Sequence, residues 1–204
     1  MVAALVLAAC SGGDGDGASP STTTLPAAPA SPSSTAPPTT GAADPVAIPE
    51  VIDAAYVNRV LAALYKVDGD VTREILRTRD VTANAQLLLG AIFGEPQLTT
   101  ELQALPAFLR QDPSQFKNPP GDRRVNVESL LRVRPTCLVA TAQLDFADVI
   151  QTPTTLAPEE IFLVVLARRP AAEHSNDRNP TPWLIVEGRI LARTQVRGAE
   201  TPCE

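Results

Sequence analysis

Few residues in this 204-residue chain are of a type and spacing that could do chemistry, and each has a plainer use. Ser114 and Lys117 stand at the Ser-x-x-Lys spacing in which a lysine helps to activate a serine nucleophile. The companion motifs are missing: Ser175-Asn176-Asp177 takes the place of Ser-Asp-Asn, and no Lys-Thr-Gly occurs. His174, the single histidine, lies in the polar run from Glu173 to Asn179. As the base of a thiol triad it would need Cys137 as a free thiol, whereas a disulfide is the expected use of that cysteine. One histidine and widely spaced cysteines do not make a four-ligand zinc set. Asp68-Gly69-Asp70 opens like a calcium loop, but Arg73 stands where such a loop needs its sharp-turn glycine. These aspartates read instead as a turn and a helix cap, and no metal or cofactor is expected.

The remaining chemistry belongs to Cys10, Cys137 and Cys203. Met1 to Ala9 is apolar throughout, and small alanines precede Cys10, as where a secretory apolar region meets its cleavage site. Leu7-Ala8-Ala9-Cys10 resembles a bacterial lipobox. The resemblance implies that residues 1–9 are a lipoprotein signal peptide and that Leu7, Ala8 and Ala9 are its recognition positions. It further implies that the Cys10 thiol receives a diacylglyceryl group before cleavage at its amino side. Met1-Val2 supplies no basic residue ahead of the apolar run, so a truncated start is expected. Acyl chains contribute ~0.8 kcal/mol per buried CH₂, and two of them anchor stably where one is marginal. The apolar run is too short to span a bilayer. With Cys10 acylated, Cys137 and Cys203 are left as a pair, for which a disulfide is the default in an oxidising compartment.

Composition divides the chain. Residues 11–45 are almost entirely Ser, Thr, Pro, Ala, Gly and Asp, with Leu25 the only large apolar residue, and cannot form a core. With Cys10 they read as a lipidated tether, 10–45, reaching ~35 Å as a coil or ~100 Å if stiffened by proline. Its Ser/Thr runs among prolines are of the kind that carries O-linked sugars. Residues 46–204 are expected to form one globular domain. All 17 basic residues fall there against 20 of the 23 acidic ones, a balance that argues for neither nucleic acid nor an anionic membrane surface.

Within that domain the apolar spacing predicts helices first and strands afterwards. Val57, Val60, Leu61 and Leu64 define a first helix that should break at Asp68-Gly69. Asp70 should cap a short second one, and Asp80 or Thr82 a third carrying Val81, Ala85, Leu88, Leu89 and Ile92. Thr100 and Gln103 suggest a capping box for a fourth piece near Glu101–Arg110, with Pro106 limiting its regularity. After Pro119-Pro120-Gly121-Asp122 the period becomes two. Val125, Val127, Leu131 and Val133 should face inward from the first strand, and Leu138, Ala140, Ala142, Leu144 and Phe146 from the second. Ile161 to Leu166 is apolar on both faces and reads as a central strand. Trp183 to Leu191 is the last, with Gly188 marking a bulge and Trp183 in the core. The expected class is α+β, with N-terminal helices packed on a curved antiparallel sheet of about four strands.

This order of elements resembles the cystatin-like or NTF2-like fold, in which helices lie in the cone of a curved sheet. Cys137-Leu138-Val139, Leu144-Asp145-Phe146 and above all Asn179-Pro180-Thr181-Pro182-Trp183 resemble uncharacterised actinobacterial lipoprotein domains. The resemblance implies a non-enzymatic binding or interaction domain, outside the cytoplasm and held to the bacterial cell membrane by its lipid. Its expected partner is an envelope protein or a small ligand, not nucleic acid. Two alternatives accompany it. One is a structural cell-envelope protein; the other is a small NTF2-like isomerase or hydratase, in which Tyr56 or Tyr65 would stabilise an oxyanion and Asp80 would move the proton.

Overall fold

The computed structural model describes residues 47–152, 156–170, 178–199 and 203. Cys10, the 10–45 tether, His174 and Ser175-Asn176-Asp177 lie outside them. Three helices come first, α1 (Ala54–Thr78), α2 (Ala83–Ile92) and α3 (Gln97–Leu109). Four strands come after them, β1 (Arg124–Arg134), β2 (Cys137–Asp145), β3 (Glu160–Arg168) and β4 (Trp183–Ala192). They form one open, curved antiparallel sheet in the order β1-β2-β3-β4. The class is therefore α+β.

Helix α1 overturns the expected break at Asp68-Gly69, because the helix runs through both residues. Glycine inside a helix costs ~1 kcal/mol relative to alanine, but here it lets another segment approach. A Cβ on Gly69 would come 2.3 Å from Asp122 Oδ1. Asp70 is likewise interior to α1, where it pairs with Arg73 at 2.7 Å instead of capping a new helix. The true N-cap is Asp53, whose carboxylate accepts from Tyr56 N at 2.7 Å. The helix ends on Arg79 in the left-handed region, φ 57°, and the Arg79 guanidinium donates to Leu109 O at 2.6 Å. One residue thus closes α1 and satisfies a carbonyl at the C-terminus of α3.

Thr82 caps α2 by accepting from Ala85 N at 3.0 Å. Asp80 is an exposed residue of the preceding turn, its carboxylate accepting from Val81 N at 2.8 Å. The capping box expected at Thr100 and Gln103 does not form, because α3 begins at Gln97 and Thr100 is already inside it. Pro106 also lies within α3.

The main core lies between the helices and one sheet face. Tyr56, Val57, Val60, Leu61 and Leu64 of α1 meet Leu138, Ala140, Ala142 and Leu144 of β2, Phe162, Val164 and Leu166 of β3, and Trp183 and Ile185 of β4. The opposite sheet face is buried too: Val139, Leu163, Val165 and Val186 form a smaller cluster closed by Cys137, Cys203 and Ala199. β3 therefore reads as apolar on both faces because it is covered on both.

Strand β1 departs from strict alternation. Its register shifts between Val127 and Ser129 and again between Leu130 and Arg132. Each bulge inserts a residue and reverses the facing of the residues after it. Leu130, not Leu131, consequently packs on the core, and Leu131 is left 46% exposed. The second bulge restores the original facing, so Val133 lies opposite Leu138, yet near the end of this outer strand it too is 46% exposed. In β4 the irregularity falls at Val186 instead of Gly188. Gly188 answers to crowding, since a Cβ there would come 2.9 Å from Phe162 Cζ.

Side chains from the helices close parts of both sheet edges. Asn58 Oδ1 of α1 accepts from Val127 N of β1 at 2.8 Å. Gln97 Oε1 of α3 accepts from Gly188 N of β4 at 3.0 Å, and Gly94 N donates to Ile185 O at 3.0 Å. Edge groups so used are denied to other strands.

Candidate functional site

The chemistry-bearing side chains collect in two buried groups. The first surrounds Trp183, whose indole Nε1 donates to the Tyr56 hydroxyl at 2.9 Å, both residues being fully buried. Next to it, Asn179-Pro180-Thr181-Pro182 folds into a closed network. Asn179 Nδ2 donates to Ala91 O at 2.7 Å and to Trp183 O at 2.9 Å, while its Oδ1 accepts from Thr181 N at 2.8 Å. Arg169, also buried, donates from NH1 to Thr181 O at 3.0 Å and to Asn179 O at 3.2 Å. Prolines at 180 and 182 remove two backbone donors that this turn would otherwise have to satisfy. The motif thus ties the C-terminus of α2 to the start of β4.

The second group lies beneath the 120–123 loop. Arg123 NH2 meets Asp68 Oδ2 at 2.6 Å, with side chains only 5% and 3% exposed. The Arg123 guanidinium lies 4.5 Å from the Tyr65 ring centroid and 5.2 Å from that of Phe146. Burial pushes the Tyr65 hydroxyl up to about 12; Arg123 opposes that rise and Glu101 adds to it. Burial also lowers the Arg123 pKa, against the effects of Tyr65 and Glu101. Glu101 is buried and accepts from Gln97 Nε2 at 2.7 Å. A tyrosine held this firmly protonated is a hydrogen-bond donor and not a base near neutral pH. Around it, carboxylates and guanidinium are engaged with one another.

The tyrosine and aspartate suggested for isomerase chemistry do not come together. Tyr56 lies in the first turn of α1, and Asp80 comes just after the last turn. At ~1.5 Å rise per residue they are separated by ~30 Å of helix. Tyr65 is nearer by only nine residues and is buried, while Asp80 is exposed. The two roles assigned to them require one shared cavity, which one continuous helix between them prevents. Ser114 and Lys117 fall in and just after a short 3₁₀ turn, Pro113–Gln115, with Ser114 exposed and its N–H donating to Asp112 Oδ1 at 2.9 Å. Among the described residues no group of three or more His, Cys, Asp or Glu side chains is arranged to hold a metal ion.

Cys137 and Cys203 are joined as expected, with Cα atoms 5.8 Å apart. The bridge lies on the outer sheet face, and Arg134 NH1 donates to Cys203 O at 3.3 Å beside it. No described helix is long and apolar enough to cross a membrane.

Arg123, Glu101, Gln97 and Arg169 carry the buried polar architecture and are not legible as such from the sequence. Arg123-Arg124 comes after a turn and has no periodic context, and Gln97 and Glu101 show only the helical i, i+4 spacing. Comparison with known proteins finds no matching family model, no matching curated relative and no matching solved structure.

Proposed function

We propose that this chain is a lipid-anchored binding protein of the bacterial cell surface, its 46–204 domain held outside the cytoplasm by Cys10 and the 10–45 tether. It engages an envelope protein or a small envelope ligand and carries out no reaction of its own. The observation that carries the reading is the Cys137–Cys203 bridge. A disulfide between buried cysteines belongs to an oxidising compartment, and its formation leaves Cys10 as the one thiol for acylation. The engagement of Tyr56, Tyr65, Asp68 and Arg123 within the core favours binding over catalysis, because each is already in contact with another core residue. The succession of three helices and a four-stranded meander supports a cystatin-like or NTF2-like shape with its concave face filled.

The test is fractionation of cells producing the full chain or its Cys10→Ser variant, fed an alkyne analogue of palmitate. The wild-type chain should pellet with membranes and take up the label, and the variant should do neither. An unlabelled wild type, or a variant that still pellets, overturns the anchor. Crosslinking on intact cells should then give a discrete adduct through the folded domain, and the absence of any adduct overturns the binding role.

A further inference from the structure

The binding role just proposed leaves the partner surface unassigned, and one stretch of sheet edge answers to it. Both outer strands are partly closed, β1 by Asn58 at Val127 and β4 by Gln97 at Gly188. From Ser129 to Arg134, no described residue is hydrogen-bonded along the outer edge of β1. This segment carries Leu131 and Val133, each 46% exposed, interleaved with Arg132 and Arg134. Arg132 NH1 is buried, and among the described residues it has no hydrogen-bond acceptor. A buried donor left unmatched is costly, and a carboxylate at the edge would draw the half-buried Arg132 guanidinium outward to meet it.

We infer that β1 residues 129–134 are a docking edge for an extended acidic segment of a partner protein, which adds to the sheet as a fifth strand. Main-chain hydrogen bonds along the edge would hold it. Its carboxylates would face Arg132 and Arg134, and apolar side chains between them would cover Leu131 and Val133. A second copy of this chain fits poorly, because antiparallel pairing of the segment with itself sets arginines against arginines. The bulge at Leu131 bends the strand and disfavours long flat pairing, which restricts the occupant to a short segment. About six residues at ~3.4 Å each fill the open length.

The test titrates the isotope-labelled full chain with a capped Asp-Val-Asp-Val-Asp-Val hexapeptide, monitored by amide chemical shifts. Changes should be confined to residues 129–134 and their β2 partners 137–141, with a Lys-Val hexapeptide inert. R132E/R134E should weaken binding at least about tenfold, with the emission of the single, buried Trp183 unchanged. Should that pair perturb folding, R132Q alone should weaken binding about threefold. No shifts, shifts elsewhere, equal response to the lysine peptide, or a larger response of the same amides to anionic phosphatidylglycerol vesicles would each overturn the docking edge. Those failures leave the crosslinked adduct standing, whereas loss of the adduct removes the binding role itself.

Discussion

Replacing Arg123 by methionine should cost this domain about 3–5 kcal/mol, the usual penalty for removing one partner of a buried ion pair. Arg123 and Asp68 meet at 2.6 Å with side chains 5% and 3% exposed. At an effective dielectric constant near 20 their gross attraction is roughly 6 kcal/mol. The removal of two charges from water offsets most of that, at several kcal/mol per ion. The intact pair is therefore near break-even, while the single variant keeps a buried carboxylate and loses its guanidinium. Methionine fills similar space between Tyr65 and Phe146, so little of the loss is a cavity. Asp68→Leu combined with Arg123→Met should return to within about 1 kcal/mol of the wild type, because both desolvation costs disappear together.

The assay is urea unfolding at neutral pH read from Trp183, the only tryptophan and fully buried. Against a typical total stability of about 5–15 kcal/mol, the single change should move the midpoint far and the double change little. A single variant losing less than about 1 kcal/mol, or a double variant no better than the single, would show that the pair is not coupled as the geometry requires.

Stability should fall by about 2–3 kcal/mol between pH 10 and 12: the Tyr65 pKa is raised by folding to about 12, so its contribution is complete below the unfolded value and lost as pH climbs through the folded one. In Tyr65→Phe that part of the alkaline slope should vanish from urea midpoints. Gly69→Ala should change stability by less than about 1 kcal/mol, because its Cβ would displace the 40% exposed Asp122 carboxylate from Arg73 while alanine's better helix propensity offsets that loss; thermal unfolding checks it, and a loss above about 2 kcal/mol would refute it. Cys203→Ser should cost about 4 kcal/mol, as expected for a bridge with sequence separation 66, and should make the midpoint insensitive to reductant. The exposed Glu128 is held near 2, first by the Arg193 guanidinium and then by Gln143. Stability it adds is present above its unfolded pKa and lost as pH falls toward 2. Solvent screening keeps this below about 1 kcal/mol, so Arg193→Ala should flatten the acid limb only slightly in urea titrations.

Much of the fold is legible in the sequence because long periodic segments leave little choice. Leu138, Ala140, Ala142 and Leu144 alternate without interruption and share the core face of β2. Where the pattern misleads, a contact distant in sequence overrides a local signal. Asp68-Gly69 looks like a helix end, and nothing nearby reveals that Asp122 needs the space of a missing Cβ or that Arg123 will neutralise the aspartate. Alternation points Leu131 inward because it counts residues, whereas the bulge between Val127 and Ser129 changes the count and Leu131 itself is the extra residue of the next. The Tyr56–Asp80 pairing fails together with the helix break, since a continuous α1 holds the two at opposite ends.

A domain that buries its tyrosines, its tryptophan, a carboxylate–guanidinium pair and the Asn179–Thr181 network has used its most versatile side chains to specify one packing. Buried polar groups engaged with each other bring rigidity, and reorganising them to meet a substrate would expose unmatched donors and charges. Chemistry at the centre would thus compete with stability at every turnover. The outer end of β1 carries no such conflict: its arginines and half-exposed branched side chains can accept a partner while the core stays closed. If the hexapeptide binds there, the Trp183–Tyr56 hydrogen bond should keep its protection against exchange on binding. An indole N–H that exchanges faster in the complex would mean that the partner opens the core, and that rigidity is not what this arrangement of polar groups provides.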